Sequence, residues 1–283
     1  TAAKDSSPAT TDAAGSRDNT PVVLTGSADG TVTYGNDSVT VDASHTEEGY
    51  LMVSYSGSNS KVKLQITGSD EITYTYNLHD GYETFPLTSG SGSYTVGVFE
   101  NIEGTSYSTL FTQTIDVTIQ DEFGPYLYAN QYVNFSADSK VISKAMELSA
   151  SANDDLEVIE NVYNYIITNF TYDYDKAASV QSGYLPDVDE VLASQTGICF
   201  DYAAVMASML RCERIPTRLE VGYMGDVYHA WISTYIKDKG WVNGIIEFDG
   251  NDWKLMDPTF ASTSSDPKDF LTQTDEYITK YVY

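Results

Sequence analysis

The sequence predicts an α+β protein: an all-β N-terminal part, then helices, then an antiparallel sheet. Three observations predict this order. Residues 22–120 alternate in short runs rich in Tyr, Thr and Val, punctuated by Gly, Ser, Asn and Asp, the texture of strands and turns. From about residue 139 apolar residues recur every three or four positions, which is a helical period. After Ile215-Pro216 the period of two returns. Helices followed by a separate antiparallel sheet make the α+β pattern.

Residues 1–21 contain no Leu, Ile, Val, Met or aromatic side chain. Such a stretch cannot bury enough apolar surface to order itself and reads as a disordered polar linker. The chain starts without Met, and the stretch reads either as a spacer left after a removed segment or as an ordinary disordered terminus. The strands that follow are expected at Thr31–Tyr34, Ser38–Val41, Tyr50–Tyr55, Lys61–Thr67, Ile72–Asn77, Tyr82–Leu87, Tyr94–Phe99 and Leu110–Ile119. Many short strands at this spacing read as a β-sandwich of immunoglobulin or fibronectin type over residues 22–120. His45, near Glu47 and Glu48, and His79, beside Asp80, read as ordinary loop histidines; no metal or cofactor is expected.

Asp121-Glu122-Phe123-Gly124-Pro125 marks the boundary to a second domain, residues 121–283. Ser139 to about Leu148 is a modest helix. Ser151-Ala152-Asn153-Asp154 has the form of a capping box. The next run puts Leu156, Ile159, Val162, Tyr163, Ile166, Ile167 and Phe170 on one stripe, a buried amphipathic helix. Tyr172, Tyr174 and Asp175 fall in a loop, and Pro186 to Ser194 is a short helix. Thr217–Met224 and Val227–Ile236 form a hairpin around Gly225-Asp226, followed by strands at Trp241–Phe248 and Trp253–Asp257.

Net charge is −26, from 15 basic and 41 acidic residues. Both halves are acidic, which removes the electrostatic footprint of nucleic-acid binding. No stretch approaches the 18 or so apolar residues of a membrane span.

The chemistry concentrates on Cys199. Gly197 turns the chain; after Cys199, Ala203, Met206, Met209 and Leu210 recur at helical spacing. The thiol therefore sits at a helix start, where unpaired N–H groups and the dipole favour a thiolate. A helix from Cys199 to Cys212 separates the two sulfurs' Cα atoms by roughly 20 Å, too far for a disulfide, so both are free and Cys212 is structural. A thiolate nucleophile needs a base, and the base an orienting acid. Of three histidines only His229 lies in the second domain, on a strand whose one face carries His229, Trp231, Ser233 and Tyr235. Asp257 ends the next strand but one. Asp249 and Asp252 compete for the acid's role but flank a turn glycine. Such a triad performs acyl transfer, with the Cys199 backbone N–H as one oxyanion donor and Tyr172 as the guess for a second. Arg211, Arg214 and Arg218 are expected to pair with carboxylates, Trp231, Trp241 and Trp253 to pack in the core, and Asp201 and Tyr202 to fix the helix start.

These motifs together resemble the transglutaminase-like superfamily: Gly197-Ile198-Cys199-Phe200-Asp201-Tyr202-Ala203, Met209-Leu210-Arg211, Ile215-Pro216-Thr217-Arg218, Val221-Gly222-Tyr223, His229-Ala230-Trp231 and Asp257-Pro258-Thr259. The resemblance spans roughly residues 150–260. It implies a papain-like core of helices packed on an antiparallel sheet, with Cys199 as nucleophile, His229 as base and Asp257 as orienting acid. It also implies a cysteine peptidase, amidase or transglutaminase acting on peptide or protein amides, secreted or at the cell surface. A non-catalytic surface module binding peptide or glycan is the alternative.

Overall fold

The computed structural model describes residues 14–243, 245–248, 253–256 and 277–283. Its first part is two four-stranded antiparallel sheets. The strands are β1 (Thr33–Gly35), β2 (Val39–Asp42), β3 (Tyr50–Tyr55), β4 (Val62–Thr67), β5 (Thr73–Leu78), β6 (Gly81–Pro86), β7 (Gly92–Glu103) and β8 (Ser106–Val117). One sheet runs β1-β2-β3-β6, the other β5-β4-β7-β8. Alternation does the work the composition promised: Val62, Leu64 and Ile66 are buried while Lys63, Gln65 and Thr67 are not. The inward rows of both sheets share one core with Val39, Val41, Leu51, Val53, Val96 and Val98.

The second part is built on helices α1 (Lys140–Ser149), α2 (Asp155–Asn169), α3 (Tyr174–Ser179), α4 (Val188–Ser194) and α5 (Cys199–Cys212). Its strands are β9 (Thr171–Tyr172), β10 (Thr196–Gly197), β11 (Thr217–Met224), β12 (Val227–Ile236), β13 (Gly240–Asn243), β14 (Ile245–Phe248), β15 (Trp253–Met256) and β16 (Tyr277–Val282). The main sheet is β13-β12-β11-β16, with β14 and β15 as a separate pair. α5 is the centre. Every residue from Asp201 to Cys212 is buried, because α1, α2 and α4 cover it on one side and β11 and β12 on the other. A helix enclosed in this way is mostly apolar, and its buried polar residues Asp201, Ser208 and Arg211 are each hydrogen-bonded.

Several elements differ from expectation for identifiable reasons. α2 begins at Asp155, and Asp154 rather than Ser151 is its cap: the Asp154 carboxylate accepts the Glu157 N–H at 2.9 Å, satisfying a donor that Ser151 stands too early to reach. The expected loop after Tyr172 is the short helix α3, capped by Asp173. Trp241–Phe248 is two strands in two sheets, since β13 pairs with β12 and β14 with β15. Residues 15–22, expected within or at the edge of a free linker, are fastened to the second part. The Gly15 N–H reaches the Ala150 carbonyl at 3.1 Å and the Val22 N–H the Cys212 carbonyl at 2.7 Å. Arg17 bridges Asp155 at 2.7 Å and Glu213 at 3.1 Å. Polar side chains order this segment by bonding to groups that are distant in sequence, which composition does not register.

The two parts meet at an aromatic seam. Tyr74 and Tyr76 of β5 contact Tyr283 edge-on at 5.5 and 5.9 Å, and Tyr132 lies 4.0 Å from Tyr283 and 5.4 Å from Phe200 on α5. Arg211 closes the seam from below. It is 1 % exposed, and its guanidinium donates to the carbonyls of Thr217, Tyr128 and Tyr283 at 3.0, 2.7 and 2.8 Å. Burial pushes its pKa down, to about 9. Replacing Arg211 by Met is expected to cost about 3 kcal/mol or more, since three enclosed carbonyls lose their donor. Arg211→Lys recovers little, because an ammonium cannot reproduce the fork. Urea denaturation measures both; a loss under about 1 kcal/mol for the Met variant would remove this role.

Candidate functional site: an aromatic cleft at the head of the central helix

Cys199 is delivered to the surface by three local devices. α4 is stopped by Gln195 in the left-handed region, φ 52°. The chain then makes a two-residue parallel bridge, Thr196 beside Thr171 and Gly197 beside Tyr172. Finally Asp201, fully buried, turns back and accepts the Ile198 N–H at 2.8 Å, half of a capping box. Gly197 is needed for this: a Cβ there would sit 2.7 Å from Cβ of Asp201.

Asp201 also ties the flanking loop to the helix. Lys176 of α3 donates to its Oδ2 at 2.7 Å and the Tyr184 hydroxyl to its Oδ1 at 2.5 Å. Lys176 is held to Tyr184 as well, at 2.7 Å. Burial works against the Lys176 charge, but its bonds to Asp201 and Tyr184 outweigh that and raise its pKa. Burial, then the Asp201 carboxylate, pushes the Tyr184 hydroxyl up to about 12, so it is a donor at neutral pH. The expectation that Asp201 orders the helix start is met, and the aspartate also sets the rim of the site.

Cys199 is half-buried and lines a cleft of about 520 Å³. Six tyrosines, 132, 172, 184, 228, 281 and 283, and Phe200 form much of its wall. None of the described lining residues is Asp, Glu, Lys or Arg. Tyr172 lies against the cysteine: the Cys199 backbone N–H faces its hydroxyl, and burial followed by the nearby sulfur holds its pKa up at about 12. By contrast Cys212 is sealed in the core, its thiol donating to the Met209 carbonyl at 3.1 Å. Burial raises its pKa to about 12.

The stretch Tyr228-His229-Ala230 forms another part of the wall. From His229 to Thr234 β12 is buried on both faces. Ile232 and its partner Leu219 pack into the helical core, and Ala230 beside Val221 follows them toward the cleft. His229 alternates to the face of Trp231, where the two rings stack at 6.1 Å and Tyr277 stands 4.9 Å from Trp231. The imidazole is 4 % exposed. Asp257, with Asp249 and Asp252, lies outside the described residues.

The remaining candidates resolve individually. Of the three arginines only Arg214 pairs with a carboxylate among the described residues, Asp18, at 2.9 Å; Arg211 uses carbonyls instead. Arg218 stacks over the rings of Trp241 and Tyr126 at 3.7 and 4.7 Å. Trp231 is buried as expected and Trp241 serves as that platform; neither lines the cleft. The Trp253 side chain is outside the described residues. His45 meets Asp29 at 2.7 Å and Glu48 at 3.1 Å, and His79 meets Glu83 rather than Asp80. Sequence reasoning missed β16. Its tyrosines at 277 and 281, with Thr279 between them and Tyr283 beyond, carry a strand's alternation, and Tyr281 and Tyr283 line the cleft.

Residues 142–244, which hold α5, β11 and β12, match the family model described as the transglutaminase-like superfamily. This segment is a transglutaminase-like core. The chain is also similar to a UPF0252 protein of Methanocaldococcus jannaschii, 28% identical over 89 residues. That stretch is 30% of this chain and 24% of the relative, so the chain spans about a quarter of the relative's length. Two solved structures are also similar. A candidate cysteine protease from Cytophaga hutchinsonii is 18% identical, covering 81% of this chain and 69% of that one, with a TM-score of 0.38. The periplasmic domain of TgpA from Pseudomonas aeruginosa, bound to ethylmercury, is 15% identical, covering 85% of this chain and all 100% of that one, with a TM-score of 0.40. Among the described residues no helix is long and apolar enough to cross a membrane.

Proposed function

We propose that the protein is a cysteine-dependent acyl-transfer enzyme acting on peptide or protein amides, of peptidase, amidase or transglutaminase type. One observation carries the reading: a half-buried thiol at the first turn of a buried helix, opening into an aromatic cleft whose wall includes residues 228–230. The Cys199 thiolate attacks the amide carbonyl carbon. The oxygen takes the negative charge and is met by the Cys199 backbone N–H and the Tyr172 hydroxyl. The C–N bond breaks, the amine leaves with a proton from the His229 imidazolium, and a thioester remains. Water or a second amine then attacks the thioester while His229 takes its proton, and the thiolate is restored. Asp257 orients His229. The strand order of the N-terminal sheets supports the immunoglobulin or fibronectin type of sandwich, and the cell-surface setting belongs to the same proposal.

A second reading, a surface module that binds peptide or glycan with the cysteine idle, is favoured by the facing of His229 toward Trp231 and Tyr277. Alkylation separates the two. With iodoacetamide near pH 7, Cys199 is expected to label at least about tenfold faster than free glutathione, the core thiol Cys212 being shielded in either reading, and His229→Ala to remove most of the advantage. Labelling of Cys199 no faster than that of glutathione, or an advantage untouched by His229→Ala, decides for the binding module.

A further inference from the structure

The cleft does not end at the cysteine's surroundings. A second cavity of about 250 Å³ lies beside it on the side of the sandwich. Thr75, Tyr132, Ser182 and Gly183 line both, so the two form one trough running from Cys199 onto β4 and β5. The trough is held together at the join: Gly183, at φ 89°, lies so close to Asn77 that a Cβ would be 2.5 Å from its Nδ2.

The two ends differ in charge. The described lining of the cysteine end contains no Asp, Glu, Lys or Arg. The far end contains Lys63 and His79. His79 is engaged by Glu83 at 3.0 Å, and Gln131 spends its amide on the Asn77 carbonyl and on Glu83, at 2.7 and 2.8 Å. Lys63 is different. Its ammonium donates to the neutral Asn77 Oδ1 at 2.5 Å and makes no ion pair among the described residues, in a chain where acidic residues outnumber basic ones 41 to 15. An ammonium has three donors, so two remain, and the Asn77 side-chain N–H groups likewise make no hydrogen bond among the described residues. These donors converge on a cavity that already continues a candidate catalytic groove.

We propose that this end of the trough is a subsite for a carboxylate of an extended peptide, bound by Lys63 and Asn77 while the scissile amide lies at Cys199. The sandwich thereby selects the substrate: a neutral residue around the cleft and an acidic group further along the same chain. The proposal rests on the acyl-transfer reading for its meaning but not for its test, which measures binding alone. The subsite carboxylate is an acidic side chain or a free C-terminus.

Three hexapeptide pools are passed over the immobilised full chain carrying Cys199→Ala. One has a single Glu and an amidated C-terminus, one has Gln in its place, and one is the Gln pool with free C-termini. Retention of the Glu pool or the free-terminus pool about tenfold above the amidated Gln pool is expected, the size of a charge-assisted hydrogen bond; which of the two is retained identifies the source. Lys63→Met should erase the preference, Lys63→Arg should keep it, and salt should weaken it. Equal retention of all three pools, or a preference that survives Lys63→Met, overturns the subsite. A carboxylate preference in a protein whose Cys199 does not outpace free glutathione in alkylation overturns only the catalytic reading.

Discussion

Changing Cys199 to Ala is expected to lower the rate of amine release from a susceptible peptide by at least about 10⁴-fold, the scale on which removing a covalent nucleophile acts. The same change should hardly touch stability. The sulfur is half-buried at a cleft wall, and surface-accessible substitutions of this kind stay within about 0.5 kcal/mol. Cys212→Ala is the mirror experiment. Its sulfur is fully buried, so about 1 kcal/mol of stability should go while the rate stays. Mass spectrometry of a peptide library incubated with each variant, alongside thermal melts, reads both quantities. Residual activity above about 1% in Cys199→Ala would be more than a non-covalent site can supply, and would end the assignment of the nucleophile.

Asp201→Ala should produce the second large effect, and on both axes together. The carboxylate is wholly buried, and three donors converge on it: the Ile198 N–H, Lys176 and Tyr184. Removing it leaves a buried N–H unpaired and a partly enclosed ammonium without its counter-charge, a loss of about 3 kcal/mol. It also frees the Tyr184 rim and the first turn that carries the sulfur. A displacement of an ångström at the reacting atom costs about 10²-fold, so the acylation rate should fall by that order even where the variant is folded. Asp201→Asn retains an acceptor for the Ile198 N–H but not the charge facing Lys176, and should fall between. The checks are urea titration and single-turnover acylation. An Asn variant as slow and as unstable as the Ala variant would mean that the charge, not the helix-start bond, carries the whole effect. An Ala variant with the wild-type acylation rate would separate this network from the site.

The sequence carried what is local or periodic. The eight strands of the first part and helix α5 lie within a few residues of expectation, because alternation and the 3.6-residue period are properties of neighbouring residues. Cys199 at a helix start was legible from Gly197 and the apolar spacing after it. What is non-local was not. Arg17, Asp18 and Val22 sit in a segment whose composition reads as linker, and the partners that fasten them, Asp155, Glu213, Arg214 and Cys212, lie 138 or more residues away. Arg211 looked like a partner for acids; that it serves three carbonyls depends on where residues 128, 217 and 283 converge.

By itself, then, the sequence determined the fold class, the elements and the one cysteine at the start of a helix. The tertiary structure alone decided the shape of the trough: that Tyr132, Tyr281 and Tyr283 wall the cleft, that the sandwich extends it to Lys63, and that Tyr277 packs on the face shared by His229 and Trp231. The reason is physical. Periodicity tells a side chain which face of its own element it occupies. Which other element covers that face is set by packing between segments that the chain order keeps far apart.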